Sequence, residues 1–328
     1  MHSLTKNPKS RAQIEAMARL AFGGLGLAPG DAGLRELEDG WFNAAYDIGL
    51  ADGRRVILKI APPPGAAVMT YERDLMATEV ATMRLVKSDP AIPVPAVLFH
   101  DATCTLCDAP WFFMEKMAGA SLDLVRGDLP PEQLPAIDRQ IGAIVRAING
   151  FAGEWFGLPG QPALRAATWR EAFVKIVESV LQDAARRAVV FSRPADEIRA
   201  LLQRHAATLD EVRTPCLVHW DGWDANFLVA DGRVTGVIDF ERALWAEPLM
   251  EAQFRHLSWS GVTDAMRGYG RTEFSDAELV RNRLYTMHLA LVMHTECFYR
   301  RYPDDRILEG SRDLLAKSLA WLEAHRKL

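Results

Sequence analysis

The sequence predicts an α+β protein in which a small β-rich lobe precedes a larger, mainly helical lobe. Three observations lead to this prediction. Apolar residues alternate or cluster in short runs at residues 34–38, 44–50 and 55–60, which is typical of strands. Across most of the remaining two thirds, apolar residues recur at helical spacing. A strand–loop–strand–turn–strand pattern in residues 216–240 interrupts these helices.

Length and charge narrow the class of protein. The chain has 328 residues and a formal net charge of −5, with acidic and basic residues interspersed. That length suits two core-forming lobes, and that charge gives no reason to expect nucleic acid or an anionic membrane as a partner. No apolar run approaches the ~20 residues that span a bilayer, and the N-terminus lacks the pattern of a signal peptide. A cytoplasmic protein is expected.

The first predicted element is a surface helix over residues 8–22, whose apolar residues are Ile14, Met17, Ala18 and Ala21. It ends in GGLGLAPG, which is similar to a dinucleotide-binding fingerprint. The third glycine falls at the wrong offset, however, and a helix rather than a strand precedes the glycines. A helix C-cap followed by a turn is the better interpretation.

Residues 44–60 predict a β-hairpin, because Asp52-Gly53 separates two strand-like runs. A proline-rich link, APPPG, then leads to a predicted helix over residues 67–88. IPVPAVLFH and WFFMEKM predict two further strands. The first lobe is therefore expected to be a small antiparallel sheet with one long inserted helix.

The turn between those two strands, DATCTLCDAP, contains a Cys-x-x-Cys pair formed by Cys104 and Cys107. No second cysteine pair or histidine pair follows at the spacing of a zinc site. A redox pair of this kind normally opens a helix, whereas this one lies in a turn. Two incidental thiols are predicted, and a redox role stays open.

The second lobe is predicted to contain helices over residues 131–150, 168–190 and 195–209, with more helix near the C-terminus. Between them, CLVHWD, NFLVA and VTGVIDF predict three short strands, the last two joined by a turn at Asp231-Gly232. The first two of these strands flank a loop that carries two aspartates and an asparagine.

That loop carries Asp221 and Asn226 five residues apart, and the last strand ends at Asp239. The predicted hairpin would bring Asn226 and Asp239 close together. Asparagine and aspartate supply the hard oxygen ligands that Mg²⁺ takes alongside phosphate oxygens. Asp221 is then free to accept the proton of a substrate hydroxyl and to align it with a phosphoryl group. His219 is interpreted as structural, with a general-base role as the alternative.

The pattern HxDxxxxN, followed by an apolar strand ending in IDFE, resembles the signature of the aminoglycoside phosphotransferase and choline kinase-like enzymes, small-molecule relatives of the protein kinases. The resemblance implies a two-lobed, protein kinase-like fold. Residues 1–117 would form the nucleotide-binding lobe, with the N-terminal helix and a hinge strand. Residues 118–328 would form the helical lobe, with an acceptor pocket and the catalytic loop, which is the HxDxxxxN segment at residues 219–226. The implied partners are Mg²⁺, ATP (with GTP as an open alternative) and a small hydroxylated acceptor.

The resemblance also implies roles in the first lobe. Lys59, in the strand RRVILKIA, matches the lysine that contacts the α- and β-phosphates. Glu79 matches the partner of that lysine on the inserted helix, with Glu72 as the alternative. Gly40 and Asn43 match the loose Gly-x-x-Asn pattern of the phosphate-covering loop, whose backbone N–H groups would hold the phosphates.

The strand WFFMEKM resembles the family's hinge, which implies that the backbones of Glu115 and Met117 bind the adenine edge, with Met114 packed behind it. Two residues depart from the related patterns. Trp220 stands where glycine is common, and Glu241 replaces the glycine of the protein-kinase Asp-Phe-Gly motif. The second departure argues against regulation by a flip of that motif.

The acceptor site is expected between the catalytic loop and the helices after Asp239. Carboxylates and tryptophans cluster there in the sequence, and together they would suit a cationic or sugar-like acceptor. The candidates are Trp223, Asp224, Glu247 and Glu251, together with Trp245 and Trp259. The open alternative is that the tryptophans are core residues and the glutamates solvated surface residues.

The predicted function is ATP- and Mg²⁺-dependent O-phosphotransfer to a small molecule, either an antibiotic such as an aminoglycoside or a metabolite such as an amino alcohol or a sugar. The alternative is a catalytically silent pseudokinase that binds nucleotide and acts as a regulator or scaffold. That alternative predicts the loss of Lys59, Asp221, Asn226 or Asp239, and all four are present. The oligomeric state does not follow from the sequence.

Overall fold

The fold is given by a computed structural model that describes residues 4–30, 33–37, 40–255, 257, 261–300, 302 and 304–325. It confirms the predicted α+β class. A five-stranded antiparallel sheet occupies the first third of the chain, and helices make up most of the rest. Among the described helices, none is long and apolar enough to cross a membrane.

The first lobe is built on a five-stranded sheet in which every pair of neighbouring strands is antiparallel. Its strands are β1 (Leu34–Leu37), β2 (Ala44–Gly49), β3 (Arg55–Ile60), β4 (Val97–Asp101) and β5 (Trp111–Glu115). Their order across the sheet is β1-β2-β3-β5-β4. Gly53, with φ 89°, makes the predicted tight turn between β2 and β3. Strand β3 is therefore central, and it carries Lys59 into the middle of the lobe.

Each face of this sheet carries one helix, because alternate residues of β5 point to opposite faces. Phe113 belongs to the core under α1 (Arg11–Ala21), whereas Phe112 belongs to the core under α2 (Leu75–Val86). Helix α1 begins at the capping residue Ser10. The predicted surface helix and inserted helix are thus both present.

Helix α2 is shorter than the helix predicted over residues 67–88. Asp74 has φ 58°, a left-handed conformation that a continuous helix excludes, so a separate 3₁₀ turn at Thr70–Glu72 precedes α2. The break turns Tyr71 and Glu72 toward the second lobe, where both make polar contacts.

The cysteine pair lies in the predicted turn, between β4 and β5. Cys104 is exposed and Cys107 is buried, and both are free thiols. Burial raises the pKa of the Cys107 thiol. Within the described residues, neither belongs to a group of side chains that could hold a metal ion.

The helices of the second lobe are α3 (Leu122–Val125), α4 (Leu134–Ile148), α5 (Trp169–Arg186), α6 (Ala195–His205), α7 (Asp264–Tyr269), α8 (Asp276–Tyr299) and α9 (Arg306–Ala324). The three helices predicted between residues 131 and 209 are confirmed as α4, α5 and α6, each a few residues shorter than expected. The last turn expected for α6 is 3₁₀ instead, over Ala206–Glu211. The largest core of the protein lies between α5 and α8, around Trp169, Phe173 and Leu284.

Five short strands form two small sheets in this lobe: β6 (Ala120–Ser121), β7 (Cys216–Val218), β8 (Phe227–Ala230), β9 (Arg233–Val237) and β10 (Leu244–Ala246). Strands β8 and β9 form the predicted hairpin, and its turn residues Asp231 and Gly232 have φ 50° and 73°. Strands β6 and β10 are not predicted by the sequence. Both are very short and pair with β8 and β7, respectively.

Candidate active site

The central hairpin brings two of the predicted metal-binding residues together. The backbone N–H of Ile238 donates to the carbonyl of Asn226 (3.0 Å), so Asn226 and Asp239 leave the hairpin side by side. The amide nitrogen of the Asn226 side chain donates to the backbone carbonyl of Asp221 (2.8 Å). Its amide oxygen is therefore the atom that remains for a ligand.

The loop before Asn226 is supported from behind by Glu251. The Glu251 carboxylate accepts hydrogen bonds from the backbone N–H groups of His219 (2.9 Å) and Trp220 (3.1 Å) and from the Asn149 side chain (2.8 Å). Trp220 has φ 64°, which is strained for a residue with a large side chain, and these bonds hold it there. Burial raises the pKa of Glu251 despite the three donors.

His219 joins the loop to the last hairpin strand. Its ring is completely buried, its Nε2 donates to the carbonyl of Ile238 (2.9 Å), and its centre lies 4.4 Å from that of the Phe240 ring. A ring in this position cannot reach an acceptor hydroxyl. The geometry therefore supports the structural interpretation of His219 over the general-base alternative.

Lys59 connects the two lobes. Its ammonium lies 2.6 Å from Oε1 of Glu79 and 2.8 Å from Oδ1 of Asp239. Burial alone would lower the pKa of Lys59, but the charges of Asp239, Glu79 and Glu241 outweigh burial and raise it. Burial would likewise raise the pKa of Asp239, and the Lys59 ammonium outweighs burial and lowers it. Lys59 and Asp239 therefore form a charged pair at neutral pH.

Three carboxylates converge beside this ammonium. One oxygen each of Glu79, Asp239 and Glu241 lies within 4.8 Å of the others, an arrangement that could hold a metal ion. Burial, followed by the charge of Asp239, raises the pKa of Glu241, and Asn43 donates to Glu241 from its amide nitrogen (2.7 Å). Burial also raises the pKa of Glu79 to about 7. A cation at this place would relieve the repulsion among the carboxylates.

A buried arginine links Asp221 to the rest of the second lobe. The Arg242 guanidinium lies 3.8 Å from Oδ2 of Asp221 and 3.0 Å from Oε1 of Glu296. It also lies 5.4 Å from the centre of the Tyr71 ring and 5.5 Å from that of the Trp220 ring. The sequence motifs do not point to Arg242. Its position directly after IDFE is the one feature of the sequence that could have indicated a role in the site.

Glu72, the alternative partner for Lys59, lies at the other end of this charge network. It is buried and pairs with Arg300, whose guanidinium also reaches Glu296 (3.8 Å). Glu79 rather than Glu72 is therefore the glutamate in contact with Lys59. The Glu72–Arg300 pair is a second charged bridge between the lobes.

A cleft of about 800 Å³ lies between the lobes. Nine residues that the sequence predicts for the site line it, namely Gly40, Asn43, Lys59, Glu115, Met117, Asp221, Trp223, Asn226 and Asp239. Met114 lines the same wall as the hinge. The N–H of Glu115 donates to the carbonyl of Ala96 (3.0 Å), so a bond from Glu115 to an adenine would have to come from its carbonyl. The cleft also contains Asp123 and Arg300, which the sequence analysis does not identify.

Three residues predicted to bind the acceptor do not line the cleft. Asp224 pairs with Arg126 (2.5 Å). Glu247 is buried and pairs with Arg281 (3.0 Å). Glu251 supports the catalytic loop. The positions of these three carboxylates give no support to a direct contact with an acceptor.

The alternative interpretation of the same cluster is half right. Trp245 packs against the core and the ring of Trp155, as expected for a core tryptophan. Glu247 and Glu251 are buried, however, so the expectation of solvated surface glutamates is wrong for both. Trp259 lies outside the described residues.

Comparisons with known proteins agree with this geometry. A thermostable mutant of an aminoglycoside phosphotransferase, in a ternary complex with ADP and hygromycin B, is 18% identical with a TM-score of 0.62, over 95% of this chain and 97% of that chain. A candidate fructosamine-3-kinase from Thermobifida fusca is 19% identical with a TM-score of 0.66, over 95% and 98%. A candidate aminoglycoside phosphotransferase from Ralstonia eutropha is 12% identical with a TM-score of 0.60, over 96% and 98%. These structures show the shared two-lobed kinase-like fold.

The sequence comparisons add the family. No protein with a curated description matches the chain in sequence. The profile of the phosphotransferase enzyme family matches residues 33–277, which contain the hairpin, the catalytic loop and the lysine strand. Since this match covers well over half of the chain, the protein belongs to the phosphotransferase enzyme family.

Proposed function

We propose that the chain is an ATP- and Mg²⁺-dependent O-phosphotransferase that acts on a hydroxyl group of a small molecule. The observation that carries the proposal is the convergence of Lys59, Asp221, Asn226 and Asp239 on one cleft between the lobes. Family membership supports phosphoryl transfer as the reaction class. Similar structures solved with ADP, or with ATP and streptomycin, support ATP as the donor.

The first lobe, residues 1–117, would bind the nucleotide. Lys59, oriented by Glu79, would contact the α- and β-phosphates. The loop from Gly40 to Asn43 lies on the cleft wall, where its backbone can cover the phosphates, and the Asn43–Glu241 bond ties it to the second lobe. The hinge carbonyl of Glu115 and the backbone of Met117 would face the adenine edge.

The donor set beside Lys59 fits a divalent cation with hard oxygen ligands. The amide oxygen of Asn226 and the carboxylate of Asp239 would hold Mg²⁺, because the amide nitrogen of Asn226 is already bonded to the catalytic loop. The ion would neutralise negative charge on the transferred phosphoryl group. Burial, and next to it the charge of Asp239, raises the pKa of Glu241, so a cation beside Asp239 would offset that repulsion.

Asp221 would align the acceptor hydroxyl and take its proton. It lies on the cleft wall next to Asn226 and is partly exposed, so its carboxylate is accessible to a substrate. Arg242, 3.8 Å away, would fix its orientation. Most of the rate gain would come from positioning and charge neutralisation, since phosphoryl transfer requires little covalent work from the protein.

Residues 118–328 would also provide the acceptor pocket. Among the predicted acceptor residues, Trp223 is the one on the cleft wall, and we assign it a direct contact. Asp224, Glu247 and Glu251 would act indirectly, by holding the surrounding segments in place. The acceptor would be an antibiotic-like molecule or a hydroxylated metabolite.

The test is a coupled ADP-release assay of the purified chain with Mg²⁺ and either ATP or GTP, against aminoglycosides, macrolides, amino alcohols and sugars. Turnover of at least one compound is expected with the wild type. Asp221→Ala should lower that turnover by about two orders of magnitude or more and leave nucleotide affinity in place. Nucleotide binding without turnover of any compound would favour the pseudokinase, and near-normal turnover by Asp221→Ala would remove Asp221 from the role.

A further inference from the structure

Large apolar side chains are exposed on the walls of the cleft. Trp41 is 41% exposed, Trp223 47% and Leu124 66%, and all three line the cleft. Exposed apolar surface concentrated in one concave site is typical of a place that a ligand covers. Trp41 belongs to the first lobe and Trp223 to the catalytic loop, so an acceptor near Asp221 would lie within reach of aromatic rings from both lobes.

A second space, of about 480 Å³, begins on the other side of Trp41. Trp41 lines both spaces, and the edge of its ring system packs on Tyr302 at 5.2 Å between ring centres. The other apolar residues of the second space are Met293 and Ile307. An apolar group attached to an acceptor in the cleft would therefore find further apolar surface past Trp41.

The charged residues of the second space do not favour either sign of ligand charge. Asp304 and Arg306 both line it, and they pair with each other at 2.7 Å. Their charges cancel locally. This space is therefore suited to an uncharged part of a ligand.

The cleft itself does not present a cluster of free carboxylates to a cation. Most of its carboxylates have a basic partner within 4 Å, namely Asp47, Glu115, Asp221 and Asp239. Glu241 accepts a hydrogen bond from the Asn43 side chain (2.7 Å). Across the described part of the cleft wall, this leaves Asp123 and Glu241 as the carboxylates without an ion pair. A polyamine would need several such groups.

Two buried arginines on the cleft wall occupy the buried carboxylates next to them. In the described structure, Nε of Arg242 and Nε of Arg300 are buried and lack a hydrogen-bond partner. Arg300 is only 5% exposed, so water does not compensate for the missing bond. The two guanidiniums already pair with the buried carboxylates of Glu72 and Glu296, which are therefore not available to a ligand ammonium.

From these observations we infer that the acceptor is an alcohol that carries an apolar ring system and no positive charge, and that Trp41 and Trp223 hold its ring. The inference rests on the proposed phosphotransferase function. The acidic residues that cluster in the sequence would suit a cationic aminoglycoside. The inference instead predicts an acceptor without positive charge. Trp41 then acts as a specificity-determining residue, since it borders both spaces.

The test compares two probes that share one ring system, 1-naphthalenemethanol and the cationic 1-naphthylmethylamine. Equilibrium dialysis measures their binding to the full chain with Mg²⁺ and a saturating non-hydrolysable ATP analogue, which excludes the probes from the nucleotide site. The alcohol is expected to bind at least about fivefold more tightly than the amine, because the ammonium would lose hydration without gaining an unpaired group of carboxylates. Trp41→Ala should weaken binding of the alcohol by about fivefold or more, and Trp223→Ala should do the same.

Phe298→Ala is the matched control, because Phe298 is also 41% exposed but lines neither space. It should change the affinity for the alcohol by less than about twofold. Equal or tighter binding of the amine, no binding of either probe, or an unchanged affinity in both tryptophan variants would overturn the inference. The measurement requires no turnover. A chain that binds the alcohol as expected but releases no ADP with any compound would refute the proposed function and leave the ring site standing.

Discussion

Glu251→Ala is expected to loosen the catalytic loop rather than to weaken acceptor binding alone. Glu251 is 0% exposed, and the change removes the acceptor for the backbone N–H groups of His219 and Trp220. An unsatisfied buried donor costs about 1–3 kcal/mol, so two of them would lower the free energy of unfolding by roughly 2–6 kcal/mol. Asn149 would also lose one of its two side-chain hydrogen bonds and keep the one to the carbonyl of Leu217 (2.7 Å).

Thermal unfolding and steady-state kinetics together test this role. We expect the melting temperature of Glu251→Ala to fall by roughly 3–9 °C. Its kcat should fall because Asp221 follows the released backbone directly, whereas its KM for ATP should change little. Glu251→Gln keeps the shape and one acceptor oxygen, so its stability should be intermediate. Glu132→Ala, at an exposed position, is the control. An unchanged melting temperature with a higher KM for the acceptor alone would refute the supporting role of Glu251.

The charge clusters beside the cleft give two further predictions. Burial raises the pKa of Glu79 to about 7 from 4.5, so its contribution to stability is present below pH 4.5 and is lost as the pH rises through 7. In Glu79→Gln, the melting temperature should therefore fall less steeply than in the wild type as the pH rises from about 5 to about 8. An equally steep fall in both proteins would contradict this. Buried Glu296 pairs with two arginines, Arg242 at 3.0 Å and Arg300 at 3.8 Å. Arg242→Met removes the closer one and should lower the free energy of unfolding by about 3 kcal/mol. Adding Glu296→Gln should recover part of that cost, whereas a double variant as unstable as the single would argue against the pairing.

Helices and strands could be predicted from the sequence where the spacing of apolar residues within the element determines its structure. Strands β2 and β3 begin and end within one residue of the prediction because a short, mostly apolar run bounded by turn residues is a local property of the sequence. The start of α2 could not be predicted in this way. Asp74 leaves the helical conformation, and Tyr71 and Glu72 instead bond to side chains of the second lobe that are more than 200 residues away in sequence.

The site residues differ in the same way: some positions follow from nearby sequence, and others depend on contacts between distant parts of the chain. Asn226 and Asp239 are joined by one hairpin, so the sequence could place them together. Glu251 follows Asp239 closely in sequence, but the intervening chain passes behind the catalytic loop and buries its carboxylate there. Arg300, by contrast, reaches the cleft from the end of α8, and no spacing rule connects it to the motif. The sequence could therefore not predict that Glu251 is buried behind the catalytic loop or that Arg300 lines the cleft.

The two charged bridges between the lobes would respond differently to a nucleotide. Lys59 bonds directly to Asp239 at 2.8 Å, and the phosphates proposed for this cleft would compete with Asp239 for the same ammonium. Glu79, which is 0% exposed and 2.6 Å from Lys59, stays out of reach of the ligand and keeps the lysine in place. The Glu72–Arg300 pair is also buried and does not involve Lys59. Because breaking a buried pair costs several kcal/mol, this second bridge would keep the lobes together while the first exchanges partners.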